Sequence, residues 1–121
     1  MTEIINPKRY DLEDRTLKYA KEIINLFNVV PNTSTNSEIN KQLIRSAGSV
    51  GANYIEANGS LSKRDFVLRI KICRKEARES KFWLNLITVN NENVNQKRQE
   101  LIRETEELAK IFGSIIEKTK T

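Results

Sequence analysis

Lysine and arginine are concentrated in one short segment of this sequence, residues 63–81. The segment carries eight basic and three acidic residues, a formal charge of +5 that equals the net charge of the whole chain. Guanidinium and ammonium groups bind phosphate oxygens through charge-assisted hydrogen bonds. Such a concentration of positive charge favours an anionic partner, with nucleic acid as the best match.

In a helical conformation most of these basic side chains share one side. At 100° per residue, four of them fall within about 60° of one another and two more border them. The six residues form the predicted nucleic-acid-binding surface: Arg64, Lys71, Arg74, Lys75, Arg78 and Lys81. The alternative interpretation is a solvated face that Glu76 and Glu79 partly neutralise.

The side chains needed for most enzyme chemistry are missing from the sequence. It contains no histidine and one cysteine, Cys73, which excludes histidine general bases, Ser-His-Asp and Cys-His arrangements, and thiolate metal clusters. Cys73 lies in an apolar helical series and is expected to be buried and unreactive. Glu104, Glu106 and Glu107 are interpreted as a solvated face, with Glu106 paired to Lys110. We therefore predict a protein that is not an enzyme, without catalytic residues, metal ligands, cofactor or small-molecule substrate.

The basic segment also carries more large apolar residues than one buried helix side requires. A second apolar set lies away from the side expected to be buried, and its members are Leu68, Ile72, Phe82 and Leu86, with Trp83 at the flank. A helix with a single solvent face does not place several large side chains there. The set predicts an interface between copies of the chain. The alternative is that some of these side chains pack against long neighbouring side chains or are exposed singly.

Long helices are expected to position these residues, because the 121-residue chain contains only four glycines and two prolines. Apolar residues repeat at three- and four-residue steps in four stretches, which predicts helices at about 11–30, 38–58, 63–89 and 95–118. The predicted core stripe of the first helix is Leu17, Ala20, Ile24 and Phe27, widened by Ile23 and Val30. Pro31 ends this helix, since proline disfavours the helical conformation in the residue before it.

The second helix is expected to begin at a capping box formed by Thr35 and Glu38 and to end at residues 58–59. Its predicted core residues are Ile39, Leu43, Ala47, Val50, Tyr54 and Ala57. Gly48 and Gly51 lie inside it, where each glycine costs about 1 kcal/mol relative to alanine. We predict that they let a neighbouring helix approach closely. A phosphate-binding loop is the alternative, although the spacing fits no such motif.

The third and fourth helices complete the pattern. Ser62 caps the third helix, and its core seam is Phe66, Ile70, Cys73, Ala77, Ser80, Leu84 and Ile87. After an asparagine-rich break at residues 90–95, the fourth helix places Leu101, Thr105, Leu108, Phe112 and Ile115 at the same steps. These elements predict an all-α fold, an up-down-up-down antiparallel four-helix bundle in one domain over residues 1–121. No stretch approaches the roughly 18 apolar residues of a membrane span, so we expect a cytoplasmic protein without a membrane partner.

A series of short motifs runs from residue 42 to residue 87. They are Arg45-Ser46-Ala47, Ser49-Val50-Gly51-Ala52-Asn53, Glu56-Ala57, Lys63-Arg64-Asp65-Phe66, Lys75-Glu76-Ala77-Arg78-Glu79 and Trp83-Leu84. Together they resemble the signature of the 23S rRNA-intervening-sequence protein family, small bacterial four-helix-bundle proteins. The resemblance implies a homopentamer, a ring of bundles around a central channel. It also implies a fold similar to the accessory variability protein of diversity-generating retroelements, a basic pentamer that partners a reverse transcriptase and nucleic acid.

These observations support two functional hypotheses. In the first, the chain is a non-enzymatic accessory factor that binds RNA or DNA without sequence preference through the basic side of the third helix. In the second, it is an oligomeric scaffold for another protein, and the basic side is only a soluble face. Salt-dependent binding to nucleic acid distinguishes the two hypotheses, because phosphate contacts release counterions.

Overall fold

A computed structural model of the protein describes the backbone of residues 7–120 and the side chains of residues 12–120. Over this part of the chain it contains four α-helices and no strand, so the prediction of an all-helical fold is confirmed. The helices are α1 (Pro7–Phe27), α2 (Ser34–Asn58), α3 (Lys63–Leu86) and α4 (Glu92–Lys118). Within the described residues, none of the helices combines the length and the apolar character that a membrane span requires.

Successive helices run antiparallel to each other. Between α3 and α2, contacting residue numbers rise in one helix as they fall in the other, through the pairs Arg69–Asn53, Cys73–Val50 and Ser80–Ser46. The same reversal relates α1 to α2 and α3 to α4, through Glu13–Asn58, Thr16–Gly51, Arg74–Gly113 and Lys81–Glu106. Buried apolar side chains from all four helices form one cluster in the interior.

On α2, α3 and α4 the predicted apolar sides face this interior. All six predicted core residues of α2 are buried, and so is the α3 seam from residue 70 to residue 87, with Phe66 partly exposed at its end. On α4 the predicted residues are buried except Ile115, which is half-buried beside the buried Ile116. The predicted burial of Cys73 is confirmed, and burial raises the pKa of its thiol to about 12.

On α1 the predicted core stripe is wrong. The buried residues are Leu12, Thr16, Tyr19, Ile23, Leu26 and, in the turn after the helix, Val30. In the predicted stripe, Leu17 and Ile24 are 54% and 46% exposed, and Ala20 and Phe27 are only partly buried. The two residues expected to widen the stripe, Ile23 and Val30, therefore belong to the true core side. The helix also ends at Phe27 and not at residue 30.

The difference arises from two hydroxyl groups that are satisfied inside the bundle. Tyr19 Oη and Thr105 Oγ1 are 2.6 Å apart in a buried hydrogen bond, and Thr16 Oγ1 donates to a main-chain carbonyl one turn earlier. Hydrogen-bonded hydroxyls are buried at little cost, so α1 turns these residues inward and leaves Leu17 and Ile24 outside. A hydropathy pattern ranks the leucine and the isoleucine higher and therefore selects the wrong side.

The start of α2 differs from the prediction because another residue caps the helix. Thr33 Oγ1, and not Thr35, accepts a hydrogen bond from the N–H of Asn36. The buried side chain of Asn36 donates to the carbonyls of Pro31 and Thr88 and accepts from the N–H of Thr88. These bonds tie the α1–α2 and α3–α4 connections together and place residue 36 in the first turn of the helix.

Side-chain caps also determine where α3 and α4 begin. Ser62 Oγ accepts a hydrogen bond from the N–H of Asp65 at 3.1 Å, which confirms the predicted cap of α3. α3 ends at Leu86 and not at residue 89. α4 begins before the predicted residue 95, because Asn91 Oδ1 accepts a hydrogen bond from the N–H of Val94 at 2.9 Å. The asparagine-rich stretch therefore starts a helix as well as separating two.

The two glycines inside α2 have different surroundings. A Cβ at Gly51 would lie 3.0 Å from Thr16 Oγ1 and 3.2 Å from Thr16 Cβ, which confirms the predicted close approach of a neighbouring helix. Gly48 is exposed, and a Cβ there would meet nothing within 4 Å. The prediction is therefore wrong for Gly48, where none of the helices, as far as the structure describes them, comes within 4 Å of the Cβ position.

We expect Gly48→Ala and Gly51→Ala to change the free energy of unfolding in opposite directions. Gly48→Ala should raise it by about 0.5–1 kcal/mol, because alanine is the better helix former and its methyl group meets no neighbour. Gly51→Ala should lower it by about 1–3 kcal/mol, since Thr16 is held by its hydrogen bond and resists displacement. Urea unfolding followed by circular dichroism measures both changes. Shifts of the same sign and size would contradict the packing of α1 on α2.

Candidate nucleic-acid interface

A basic groove runs between α3 and α4. It has a volume of about 670 Å³ and is lined by the small residues Ala77, Thr105, Ala109 and Gly113. Its charged lining residues are Arg74, Arg78, Lys81, Glu106 and Lys110. Small residues on both helices leave space between them, and long basic side chains border that space. We call this feature the α3–α4 groove.

Packing against α4 positions one of the arginines of the groove. A Cβ at Gly113 would lie 3.8 Å from Nη1 and 3.9 Å from Cδ of Arg74, so the arginine side chain lies against the helix where a side chain is missing. Arg74 is partly buried as a result. Its guanidinium loses less conformational entropy on binding an anion than a freely moving side chain would lose.

The single carboxylate of the groove is engaged by one of its cations. Lys81 Nζ lies 2.7 Å from Glu106 Oε2, and this ion pair, with a smaller contribution from Lys110, lowers the pKa of Glu106. The predicted ion pair of Glu106 with Lys110 is therefore wrong, because Lys81 from the neighbouring helix takes that place. Arg74, Arg78 and Lys110 leave the groove with an excess of positive charge.

Two of the three acidic residues of α3, Glu76 and Glu79, face the other way, toward α2. Arg45 of α2 forms ion pairs with Glu76, at 3.3 Å between Nη1 and Oε1, and with Glu79. Trp83 Nε1 donates to Glu79 at 2.9 Å, and this hydrogen bond together with the Arg45 ion pair lowers the pKa of Glu79. Glu76 and Glu79 are therefore engaged by Arg45 and not by the basic side chains of the groove.

The other predicted basic residues lie outside the groove. Arg64 and Lys71 line a shallow depression at the start of α3, together with Leu68. Lys75 is exposed and close enough to Glu79 to contribute to the lowered pKa of that carboxyl. The structure thus brings together three of the six predicted residues, Arg74, Arg78 and Lys81.

Sequence reasoning missed Lys110 as a member of the basic surface. The spacing within α4 predicts an ion pair for this residue, and only the packing of α4 on α3 places it beside the arginines. Glu104, interpreted as solvated, is half-buried in a bidentate ion pair with Arg15, at 2.7 and 2.8 Å. Among residues 12–120, no three or more histidine, cysteine or acidic side chains come together as a possible metal site.

The five residues predicted to form an oligomer interface divide into two groups. Leu68, Phe82 and Leu86 are 56%, 59% and 50% exposed. Ile72 and Trp83 are partly buried, and Trp83 packs against the core. The Phe82 ring meets the Trp83 ring edge-on, at a centroid distance of 5.0 Å. We call the neighbouring exposed residues Phe82 and Leu86 the α3 patch.

Comparison with known proteins relates the chain to one family. The family model described as 23S rRNA-intervening sequence protein matches residues 8–114. A crystal structure of a protein with unknown function from the S23 ribosomal protein family of Bacteroides thetaiotaomicron shares 31% sequence identity with the chain and has a TM-score of 0.77. The similarity covers 91% of this chain and 98% of that chain. No curated protein matches the sequence significantly.

Proposed function

Because the chain belongs to the 23S rRNA-intervening sequence protein family, we propose that it is a non-enzymatic accessory protein that binds the phosphate backbone of nucleic acid in the α3–α4 groove. The resemblance found in residues 42–87 is thereby confirmed over most of the chain. The name of this family and that of the S23 ribosomal protein family, to which the Bacteroides thetaiotaomicron protein belongs, both refer to ribosomal components. These names support RNA as the first ligand to test, with DNA bound by the same contacts.

The division of charge around α3 carries this proposal. Arg45 engages Glu76 and Glu79 on the α2 side, while Arg74 and Arg78 lie on the α4 side with Lys110. A merely solvated helix face would mix both signs, and the acidic residues would neutralise the basic ones. Because Arg45 engages Glu76 and Glu79 on the α2 side, the groove keeps four basic side chains against one carboxylate, and this excess of positive charge attracts a polyanion.

The chemistry of the groove supports binding without sequence preference. Its charged and small lining residues offer guanidinium and ammonium donors to phosphate oxygens, and no aromatic side chain lines it. The two aromatic residues at the end of α3, Phe82 and Trp83, contact each other and are not among the lining residues of the groove. Backbone contacts of this kind position a nucleic acid but do not distinguish its bases.

Assembly would strengthen such binding. The exposed residues Leu68, Phe82 and Leu86 support a homo-oligomer, and the family resemblance favours a ring-shaped pentamer. Several copies of the groove in one particle would add their electrostatic fields and bind one long polyanion at several places. Each chain would thus bind nucleic acid weakly, while the assembled oligomer would bind it with higher affinity.

Fluorescence anisotropy with a labelled, unstructured RNA and a DNA duplex tests the proposal. We expect dissociation constants of about 10⁻⁴–10⁻⁶ M at physiological salt, tightening steeply as salt is lowered, because each phosphate contact releases a counterion. A peptide nucleic acid of the same base sequence, which lacks phosphates, is the matched control and should not bind. If the RNA and the DNA also fail to bind at 50 mM salt, the scaffold hypothesis replaces this proposal.

A further inference from the structure

A second exposed apolar surface lies between α1 and α2, and it includes Leu17 and Ile24, which the sequence predicted to be buried. Leu17 and Ile24 of α1 are 54% and 46% exposed, and Ile44 and Ile55 of α2 are 36% and 55% exposed. We call these four side chains the α1–α2 strip. The strip is separate from the α3 patch and from the basic groove.

The contacts between α1 and α2 place the four side chains along one seam. Glu13 faces α2, since its carboxylate accepts a hydrogen bond from Asn58. Leu17 and Ile24 follow Glu13 at helical spacing and therefore lie on the same flank of α1. On α2, Ile44 and Ile55 share a flank with Asn58 by the same rule. The two flanks meet, so the strip is continuous across both helices.

The register of α1 against α2 places each α1 residue of the strip opposite one α2 residue. Because the antiparallel helices bring Thr16 to Gly51, Leu17 lies toward Ile55 and Ile24 lies toward Ile44. Gly48 comes between the two isoleucines of α2, and its missing side chain leaves open space in the middle of the strip. The strip thus has aliphatic ends and a hollow centre.

The hydrogen bonds of Thr16 and Tyr19 explain which side of α1 is buried, and a consequence is that apolar surface stays exposed. α1 buries Thr16 and Tyr19 and leaves a leucine and an isoleucine in solvent. Burying these apolar side chains would release water from their surface, which is the main driving force of protein association. The arrangement is favourable when another surface covers the strip.

We infer that the α1–α2 strip is the docking surface for the α3 patch of a second copy of this chain. This inference rests on the homo-oligomer proposed above and names the two surfaces that meet. Within one chain the two cannot cover each other, because α3 packs against α2 and α4 while α1 lies diagonally across the bundle. Contact between different surfaces of two copies is heterologous, and repetition of such a contact closes into a ring when the rotation between copies permits.

Shape and charge both favour this occupant. Phe82 projects from α3 with its ring supported edge-on by Trp83, and the absence of a side chain at Gly48 leaves open space on the strip for such a ring. Lys75 lies two turns before Phe82 on α3 and is exposed. Asp14 and Glu56 are exposed carboxylates beside the Leu17–Ile55 end of the strip. With Phe82 at the centre and the N-terminal end of α3 directed toward the Leu17–Ile55 end, docking brings the ammonium group of Lys75 toward these carboxylates.

Two single variants, Gly48→Glu and Phe82→Glu, test the pairing. Each removes one surface and leaves the other intact, and a Cβ at residue 48 meets no atom of the described residues within 4 Å. Light scattering after size exclusion at 10 μM should show an oligomer for the native chain and a 14 kDa monomer for each variant. An equimolar mixture of the two variants should form a dimer, because one intact strip and one intact patch remain. Gln99→Glu, an exposed change on α4, should leave the oligomer intact.

The outcomes separate this inference from the proposed assembly. A native chain that stays monomeric at 200 μM overturns both. A native oligomer that persists with Gly48→Glu and with Ile55→Glu overturns the strip as the docking surface and leaves the assembly standing. Monomeric variants whose mixture does not dimerise overturn the pairing of these two surfaces. Circular dichroism confirms that each variant retains its helices, and Ile55→Glu replaces Gly48→Glu if that variant does not fold.

Discussion

Reversing two charges of the α3–α4 groove, in the double variant Arg78→Glu/Lys110→Glu, is expected to weaken nucleic-acid binding by at least about 100-fold at 50 mM salt. Each lost charge-assisted hydrogen bond to phosphate is worth roughly 1.5–3 kcal/mol, and each new carboxylate repels the backbone. The slope of log affinity against log salt should fall by about 1.4–1.8, because two fewer phosphates are neutralised. Fluorescence anisotropy with the labelled RNA at several salt concentrations measures both quantities.

A second double variant with the same change in net charge provides the control. Lys18→Glu/Lys97→Glu alters exposed residues that border α1–α4 clefts, away from the groove. It should weaken binding less than about 5-fold, through long-range electrostatics alone. Equal loss of affinity in the two variants would mean that net charge, and not the groove, determines binding.

Removal of the one carboxylate in the groove should have the opposite effect. Glu106→Gln abolishes the ion pair with Lys81 and frees that ammonium group for phosphate. An affinity gain of about 3–10-fold is expected at 50 mM salt, with a steeper salt dependence. A gain of affinity is informative because damage to the fold would produce only losses.

The largest effect on stability is expected when Phe112, one member of an aromatic pair in the core, is truncated to alanine. Phe112 of α4 is fully buried, and its ring lies 6.0 Å from that of the buried Tyr54 on α2. Phe112→Ala should lower the free energy of unfolding by about 3–5 kcal/mol, through lost burial and the cavity left behind. Since whole domains are stable by only about 5–15 kcal/mol, a large share of the stability would be lost. Urea unfolding at 25 °C measures the change.

Phe82→Ala is the matched control, because it removes the same side chain from a mostly exposed position. Its effect on the free energy of unfolding should stay within about 0.5 kcal/mol at a protein concentration low enough for monomers. A cost similar to that of Phe112→Ala would place Phe82 in the core and contradict the α3 patch as a docking surface.

The helical fold and the interior of α2, α3 and α4 could be predicted from residue types and spacing. Residues such as Leu43, Leu84 and Leu108 recur at helical periods, and burying them is favourable in any bundle of such helices. The cap at Ser62 was also predictable, because its bond to Asp65 is local. These features depend on contacts within one helix or on the apolar character of one helix side.

The orientation of α1 could not be predicted in the same way. Thr16 and Tyr19 are acceptable in the interior only because hydrogen-bond partners satisfy their hydroxyls, and the partner of Tyr19 is Thr105 on another helix. The sequence of residues 7–27 contains no pattern from which that partner could be predicted. The exposure of Leu17 and Ile24 in the α1–α2 strip follows from this orientation and could not be predicted for the same reason.

The basic surface was predicted in part. The concentration of lysine and arginine in residues 63–81 is a property of the sequence, but the distribution of its charges depends on the helices packed beside it. Arg45 on α2 forms ion pairs with Glu76 and Glu79, and α4 contributes Lys110 to the groove. Ion pairs between helices depend on distances of a few ångströms between residues far apart in the chain, and only the packing of the helices sets those distances.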